Sequence, residues 1–318
     1  MNDYSTAASA AVRPADAPAP APMPAPDPAA IPPAGPASAL APRAVRRIVH
    51  RTRGRRQGPI VRLVSPSDLG EAIKPFVFLD RFDTDAGPAR GFGWHPHSGI
   101  ATLSLLLAGG FRYEDSTGAA GRLAPGSVEW MQAGGGVWHT GHSDGTGARG
   151  LGYQLWVALP PELELAPARS QYLDARSFQR KGPARVILGE WQGARSPIVA
   201  PAPINYLEVN LRAGETWRYD PPAGHDVAWI AVHAGAVRVP EVVAAGELAV
   251  FERSGASIGF ESDGDASFVL GSAVKHPHDL VLGYYSVHTS PQALRAGEQG
   301  IERIGDELRR GGTLGAAA

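Results

Sequence analysis

The chain has no cysteine, which removes disulfides, thiolate metal sites, iron–sulfur clusters and a Cys nucleophile together. Any transition metal must then be held by His, Asp or Glu. An excess of charge is also lacking: 30 Lys+Arg stand against 31 Asp+Glu, so no global field draws the chain to nucleic acid or to anionic lipid. Lysine is scarce, with Lys74, Lys181 and Lys275 its only instances. Beside so much Ala, Gly and Pro, this reads as the codon bias of a GC-rich bacterial genome and carries no function. No run of about 18 apolar residues occurs, and the start lacks the basic and apolar parts of a secretory signal. A soluble cytoplasmic protein without membrane contact is the expectation.

What is present begins with a tail. Residues 1–43 carry 11 Pro and 15 Ala, and so many prolines deny the backbone its helix and ladder donors; an extended, disordered segment is expected. Seven arginines follow between Arg43 and Arg56 in "RAVRRIVHRTRGRR". They read as a solvated strand edge, where charge blocks association, in preference to a nucleic-acid or acidic-partner contact. From about Val61 to Val287, short apolar runs such as "ATLSLLL", "SVEWM", "LGYQLWVAL" and "VAWIAVH" are separated by Gly, Pro and Asp, the signature of a β-sandwich or barrel. Helical periodicity waits for "SPQALRAGEQGIERIGDELRRGG". There Leu294, Ile301, Ile304 and Leu308 share a face, Ser290 caps, Pro291 opens and Gly311 stops.

The two halves repeat weakly. "LLLAGGFRYED" followed by "LAPGSVEWM" parallels "AVHAGAVRV" followed by "VAAGELAVF". The fold class is therefore all-β: two related barrels in tandem with a C-terminal helix packed on one of them. In this register His139 lies opposite Gly259 or Phe260, and the His95/His97 pair lies opposite the region just before His225. The expected division is a tail over 1–43, a first barrel over 44–172, a second over 173–290, and the helix and its tail over 291–318.

Two His-Pro-His tripeptides occur, His95-Pro96-His97 and His276-Pro277-His278. On a strand, residues i and i+2 share a face, so each pair could set two imidazoles on one wall. Only the first is followed by a hairpin and a Gly-rich return, "EWMQAGGGVWH", that delivers His139 from a separate strand. Three neutral imidazoles suit Fe, Mn, Co, Ni, Cu or Zn and leave positions open for other ligands. The second pair has only His288 after it and reads as a loop. Trp130, Trp138, Tyr153 and Trp156 are candidates for an aromatic pocket, although bulky aromatics on strands are more often core; Gln154, one residue out of phase, reads equally as a cavity-facing hydrogen-bond donor or as a satisfied structural amide. Asp115 reads as turn chemistry, and His225 and His233 as structural. No GxSxG elbow or Gly-rich phosphate loop supports a hydrolase or nucleotide-binding reading.

"FVFLDRFD", "GWHPHSGIATL", "YEDSTG", "PGSVEWMQAGGGVWH" and "GYQLWVAL", in this order, resemble the pirin family of the cupin superfamily, over about Arg46 to Thr289. The resemblance implies two cupin (jelly-roll) β-barrels, with a divalent transition metal, Fe(II) foremost, held in the N-terminal barrel by His95, His97 and His139, and a C-terminal barrel without a site. Pirins place a Glu two residues after the third His; here that position is Gly141. The Glu that often follows the first pair by four residues is Ala101. The fourth place could be taken by a water or by His142, although His142, one step out of phase on the strand, should face away; a glutamate restored at 141 should tighten metal retention if that position adjoins the ion.

Pirins resemble quercetin 2,3-dioxygenases, which implies a small flavonol-like aromatic substrate and O2, with the metal as Lewis acid and template. Lacking the carboxylate, deprotonation of a substrate hydroxyl would rest on the metal, water or pocket. The alternative is a non-catalytic metal-binding regulatory or interaction module with a protein partner, the role in which some family members assist transcription factors or metabolic enzymes. A third reading is a structural bicupin with a weak or lost metal.

Overall fold

The structure is a computed structural model, and it describes residues 46–85, 91–145 and 149–314. The Pro/Ala-rich tail expected over 1–43 lies outside the described residues. Strands dominate and assemble into two barrels of the same design, each a seven-stranded sheet facing a four-stranded one. In the first barrel the large sheet runs Arg169–Leu173, Val128–Gln132, Ile100–Ala108, Arg149–Ala158, Phe76–Asp85, Ile60–Val64, Arg55–Gln57, and the small one Gly91–His97, Val137–Ser143, Phe111–Asp115, Ala120–Leu123. In the second, the large sheet is built on Val227–Ala234, Ala266–Ala273 and Ile204–Leu211, and the small one runs Thr216–Tyr219, Ile258–Glu261, Ala236–Val239, Glu241–Ala244.

The two large sheets pack face to face. Their shared core takes Leu103, Leu105, Trp130, Tyr153 and Leu155 from one side and Tyr206, Trp229, Val250 and Val269 from the other. Residues alternate across a strand, so the neighbours of these side chains point into each barrel's own interior. Both faces of the large sheets are thus covered, which is why "ATLSLLL" reads as a continuous apolar run instead of an alternating one. The interiors differ in chemistry. The second is filled by Val209, Ile230, Val232, Phe268 and Leu270; the first holds Thr102, Ser104, Glu129, His97 and His139, all buried.

Two segments depart from the expected division. The strand Ile48–Thr52, assigned by sequence to the first barrel, pairs antiparallel with Leu248–Phe251 of the second. The reason is local: Arg46 is buried, with its guanidinium donating to the backbone oxygens of Glu252 (2.8 Å) and Asp226 (2.5 Å). Burial lowers its pKa to about 10. Around it Arg47 pairs with Glu252, and Arg51 with Glu241 and Glu247, so much of the arginine run is answered within the chain. The second segment is the hairpin Val281–Gly283 with Ser286–His288, which leaves the second barrel and bridges Ser98 of the first through Ser286.

The helix Pro291–Arg310 starts at Ser290, whose side chain accepts from the amide of Ala293, and ends at Gly311. Its buried face is Ala293, Gly297, Gly300, Ile301 and Gly305, while Leu294, Ile304 and Leu308 are half-buried at the margin. Glycines allow a close approach to the first barrel: a Cβ on Gly300 would lie 2.0 Å from the Gly135 carbonyl oxygen. Trp138 Nε1 donates to the Ile301 carbonyl at 2.9 Å across the same seam. Gly300→Ala should therefore cost about 1–3 kcal/mol by overpacking, read as a lower urea midpoint at unchanged slope.

Candidate metal centre

Two adjacent strands build the site. In the antiparallel pair Gly91–His97 and Val137–Ser143, His139 stands directly opposite His95, and His97 opposite Val137. The i, i+2 spacing sends His95 and His97 inward together, and the register adds His139. One ligand nitrogen from each of the three lies within 4.8 Å of the others, and the Nε2 atoms of His95 and His139 are 2.9 Å apart. With metal–nitrogen bonds of about 2.0–2.1 Å, two donors at right angles around one ion would stand roughly 3 Å apart.

The far sides of two rings are tied off. His95 Nδ1 donates to the Gly93 carbonyl at 2.8 Å, and His97 Nδ1 to the Tyr285 carbonyl at 3.1 Å. A carbonyl can only accept, so in each ring Nδ1 carries the proton and Nε2 keeps its lone pair for the shared point. Burial, reinforced by the neighbouring His139, lowers the His95 pKa to about 4 and holds His97 well below the usual imidazole range. Both are thus neutral, the form that ligates. His97 Nε2 is buried without a hydrogen-bond partner, an orphan that a metal would satisfy, and the donor set suits a divalent transition ion.

The C-terminal hairpin closes one side. Tyr285 adopts a left-handed backbone, φ 54°, and its ring lies 5.7 Å from His95 and 5.9 Å from His97. Ser98 Oγ lies 2.9 Å from both Ser286 Oγ and His288 Nε2, and His288 Nδ1 donates to Glu164 at 3.1 Å. This Ser–His–Glu series is buried and acts as a clasp. Gly99 permits it: with φ 73°, a Cβ there would lie 2.0 Å from the Val287 carbonyl oxygen. Sequence reasoning missed the hairpin, since nothing in "DLVLGYYSVHTSP" marks a partner 188 residues away.

The other candidates divide clearly. Trp156 stacks on Phe78 (4.0 Å) and meets the His97 ring edge-on at 4.9 Å. Trp130 and Tyr153 belong to the core between the barrels, and Trp138 docks the helix. Gln154 stands opposite Ser104 on the interior face. Asp115 accepts from the amide and hydroxyl of Thr117, as turn chemistry requires. His142 is exposed and outside the cluster. His276 and His278 sit in a loop, their rings 5.3 Å apart; among the described residues no third ligand joins them. His225 bonds Ser272 at 2.9 Å.

Position 141 has no room for a side chain. Tyr113 pairs directly with Gly141 and leans over it, so a Cβ at 141 would lie 2.5 Å from the Tyr113 ring. That ring is fixed among Phe82, Leu106, Phe111 and Leu123. A glutamate at 141 would therefore have to displace the Tyr113 ring.

The second barrel shows what replaces the imidazoles. Its equivalent pair of strands sets Trp217 opposite Phe260 and Tyr219 opposite Ile258. His95, His97 and His139 thus correspond to Trp217, Tyr219 and Phe260, which pack as aromatics, Trp217 and Phe260 with centroids 5.1 Å apart.

Paired barrels of this kind, one polar inside and one filled, define a bicupin. The Pirin family model matches residues 57–157. A Pseudomonas aeruginosa protein named "Putative quercetin 2,3-dioxygenase PA2418" is 33% identical over 246 residues, 71% of this chain and 84% of that one. A Caulobacter vibrioides "Pirin-like protein" is 34% identical over 225 residues, 67% of this chain and 81% of that one. Among solved structures, a quercetin 2,3-dioxygenase from Acinetobacter baumannii shares the fold with a TM-score of 0.75 at 24% identity, over 86% of this chain and 100% of that one. The chain belongs to the pirin family.

Gly141→Glu should lower stability by about 1–3 kcal/mol through overpacking against Tyr113, without tightening metal retention; adding Tyr113→Ala should recover part of the loss. Thermal unfolding and chelator competition on both variants read the two effects.

Proposed function

We propose that this pirin holds a divalent metal, iron foremost, through Nε2 of His95, His97 and His139, and acts as a quercetin 2,3-dioxygenase-type oxygenase on a flavonol-like aromatic with O2. The observation that carries the reading is the convergence of three imidazole nitrogens, two of them with their opposite nitrogens bonded to carbonyls. Relatives named for quercetin 2,3-dioxygenase support the reaction class. When bound, the metal would supply Lewis acidity toward a substrate hydroxyl.

The chain's own residues do the rest. Gly93 and Tyr285 carbonyls keep the imidazoles in the ligating tautomer. Trp156, stacked on Phe78, walls the interior side of His97. Phe92, with its ring 6.4 Å from His95, and Tyr285, whose ring Tyr284 meets at 4.5 Å, are exposed aromatics beside the histidines, suited to a flat, apolar molecule with a polar edge. No carboxylate at position 141 is available as general base, so a substrate proton would leave to solvent or to another group of the pocket.

His97→Ala or His139→Ala should abolish metal loading measured by elemental analysis, whereas His276→Ala with His278→Ala should leave it intact. Oxygen uptake by the loaded protein with a flavonol panel tests the activity. Loading without turnover would instead support the metal-binding interaction role, and loading that survives either single change would refute the ligand set.

A further inference from the structure

A carboxylate missing from one strand has a counterpart on another. Glu129 projects from the large sheet into the interior of the first barrel and is 0% exposed. Its Oε2 accepts from Ser104 Oγ at 2.8 Å, which orients the group. Its Oε1 has no hydrogen-bond partner and lies 3.6 Å from His139 Nδ1, which has none either. Among the described residues, no Lys or Arg is paired with it. A carboxylate so placed needs a donor or a cation, and His139 is the one ring of the three whose second nitrogen no carbonyl holds.

The second barrel supplies an internal comparison. By the strand pairings, Ser104 opposite Glu129 in the first barrel corresponds to Ile230 opposite Ala249 in the second. Where the three histidines become Trp217, Tyr219 and Phe260, the carboxylate and its serine become apolar as well. Five positions therefore differ together: three ligand candidates, the carboxylate behind His139, and the serine that bonds that carboxylate. A carboxylate kept merely for the barrel's own packing gives no reason for that coincidence.

We propose that Glu129 is the positioning carboxylate of the metal centre: it accepts a hydrogen bond from His139 Nδ1–H, aims Nε2 at the ion, and supplies the negative charge that Gly141 does not. The inference rests on the metal-site reading above. A short rotation of the His139 ring closes the 3.6 Å gap, and an ion at Nε2 strengthens Nδ1–H as a donor. Ser104 fixes the carboxylate from its other oxygen.

The test is Zn(II) affinity, measured by chelator competition on the full chain, for the unaltered protein, Glu129→Ala, Glu129→Gln and Ser104→Ala. Glu129→Ala is expected to bind about 10- to 100-fold more weakly. Glu129→Gln keeps an acceptor oxygen in place and should lose less. In the Zn-loaded protein, the low-field imidazole proton on His139 Nδ1 should be present in the unaltered chain and lost in Glu129→Ala; should that variant fail to fold, Glu129→Gln with Ser104→Ala carries the affinity test. Unchanged affinity in the Glu129 variants, or an unchanged His139 proton, would overturn this role while leaving the three-His site standing. Failure of the unaltered protein to take up Zn(II) would overturn both.

Discussion

One backbone register governs this molecule: His139 opposite His95 on neighbouring antiparallel strands. Shifting it by a single residue would turn the inward histidine outward, and His142, out of phase on the same strand, shows where such a ring ends up. Everything else near the centre serves to hold that register or the rings it delivers. The hairpin clasp through Ser98 and His288 fixes the first strand's end, and the helix seated on Gly135, Gly136 and Trp138 fixes the start of the second.

The contrast between the barrels shows how a cupin interior is kept open or filled. Both have the same strand order, and both pack their large sheets against the shared core. They differ in the inward residues. In the second barrel these are aromatic and branched aliphatic side chains, which recover burial energy. In the first, apolar side chains such as Trp156, Phe82, Leu106 and Phe111 share the interior with imidazoles, hydroxyls and a carboxylate, which give up that energy and must be compensated by hydrogen bonds or by an ion.

Much of this was legible in the letters. The Gly-punctuated apolar runs and the repeat of "AGG" and "AGA" hairpins pointed to twin barrels, and the repeat set Gly259 or Phe260 opposite His139, of which the pairings select Phe260. The caps of the helix were read at Ser290 and Gly311. What escaped was tertiary: which barrel takes the strand Ile48–Thr52, that Ala293 and three glycines join Ile301 on the helix's buried face while Leu294 and Leu308 stay at its margin, and that Tyr113 occupies the space over Gly141. None of these follows from periodicity, because each depends on which distant surface a residue meets. Glu129 was visible inside "SVEWM", but nothing local distinguishes an inward carboxylate with an orphan oxygen from one on a solvated face.

The clasp has a bearing on how the protein is made. The carbonyl that holds His97 in its ligating tautomer belongs to Tyr285 and leaves the ribosome long after the rest of the first barrel. An early-folding amino-terminal half would present the histidine pair without this support, and a nascent chain would meet cellular metal ions with an unfinished pocket. Support for His97 thus comes only with the C-terminal hairpin, so truncation before residue 281 would remove it from a first barrel whose strands are otherwise complete.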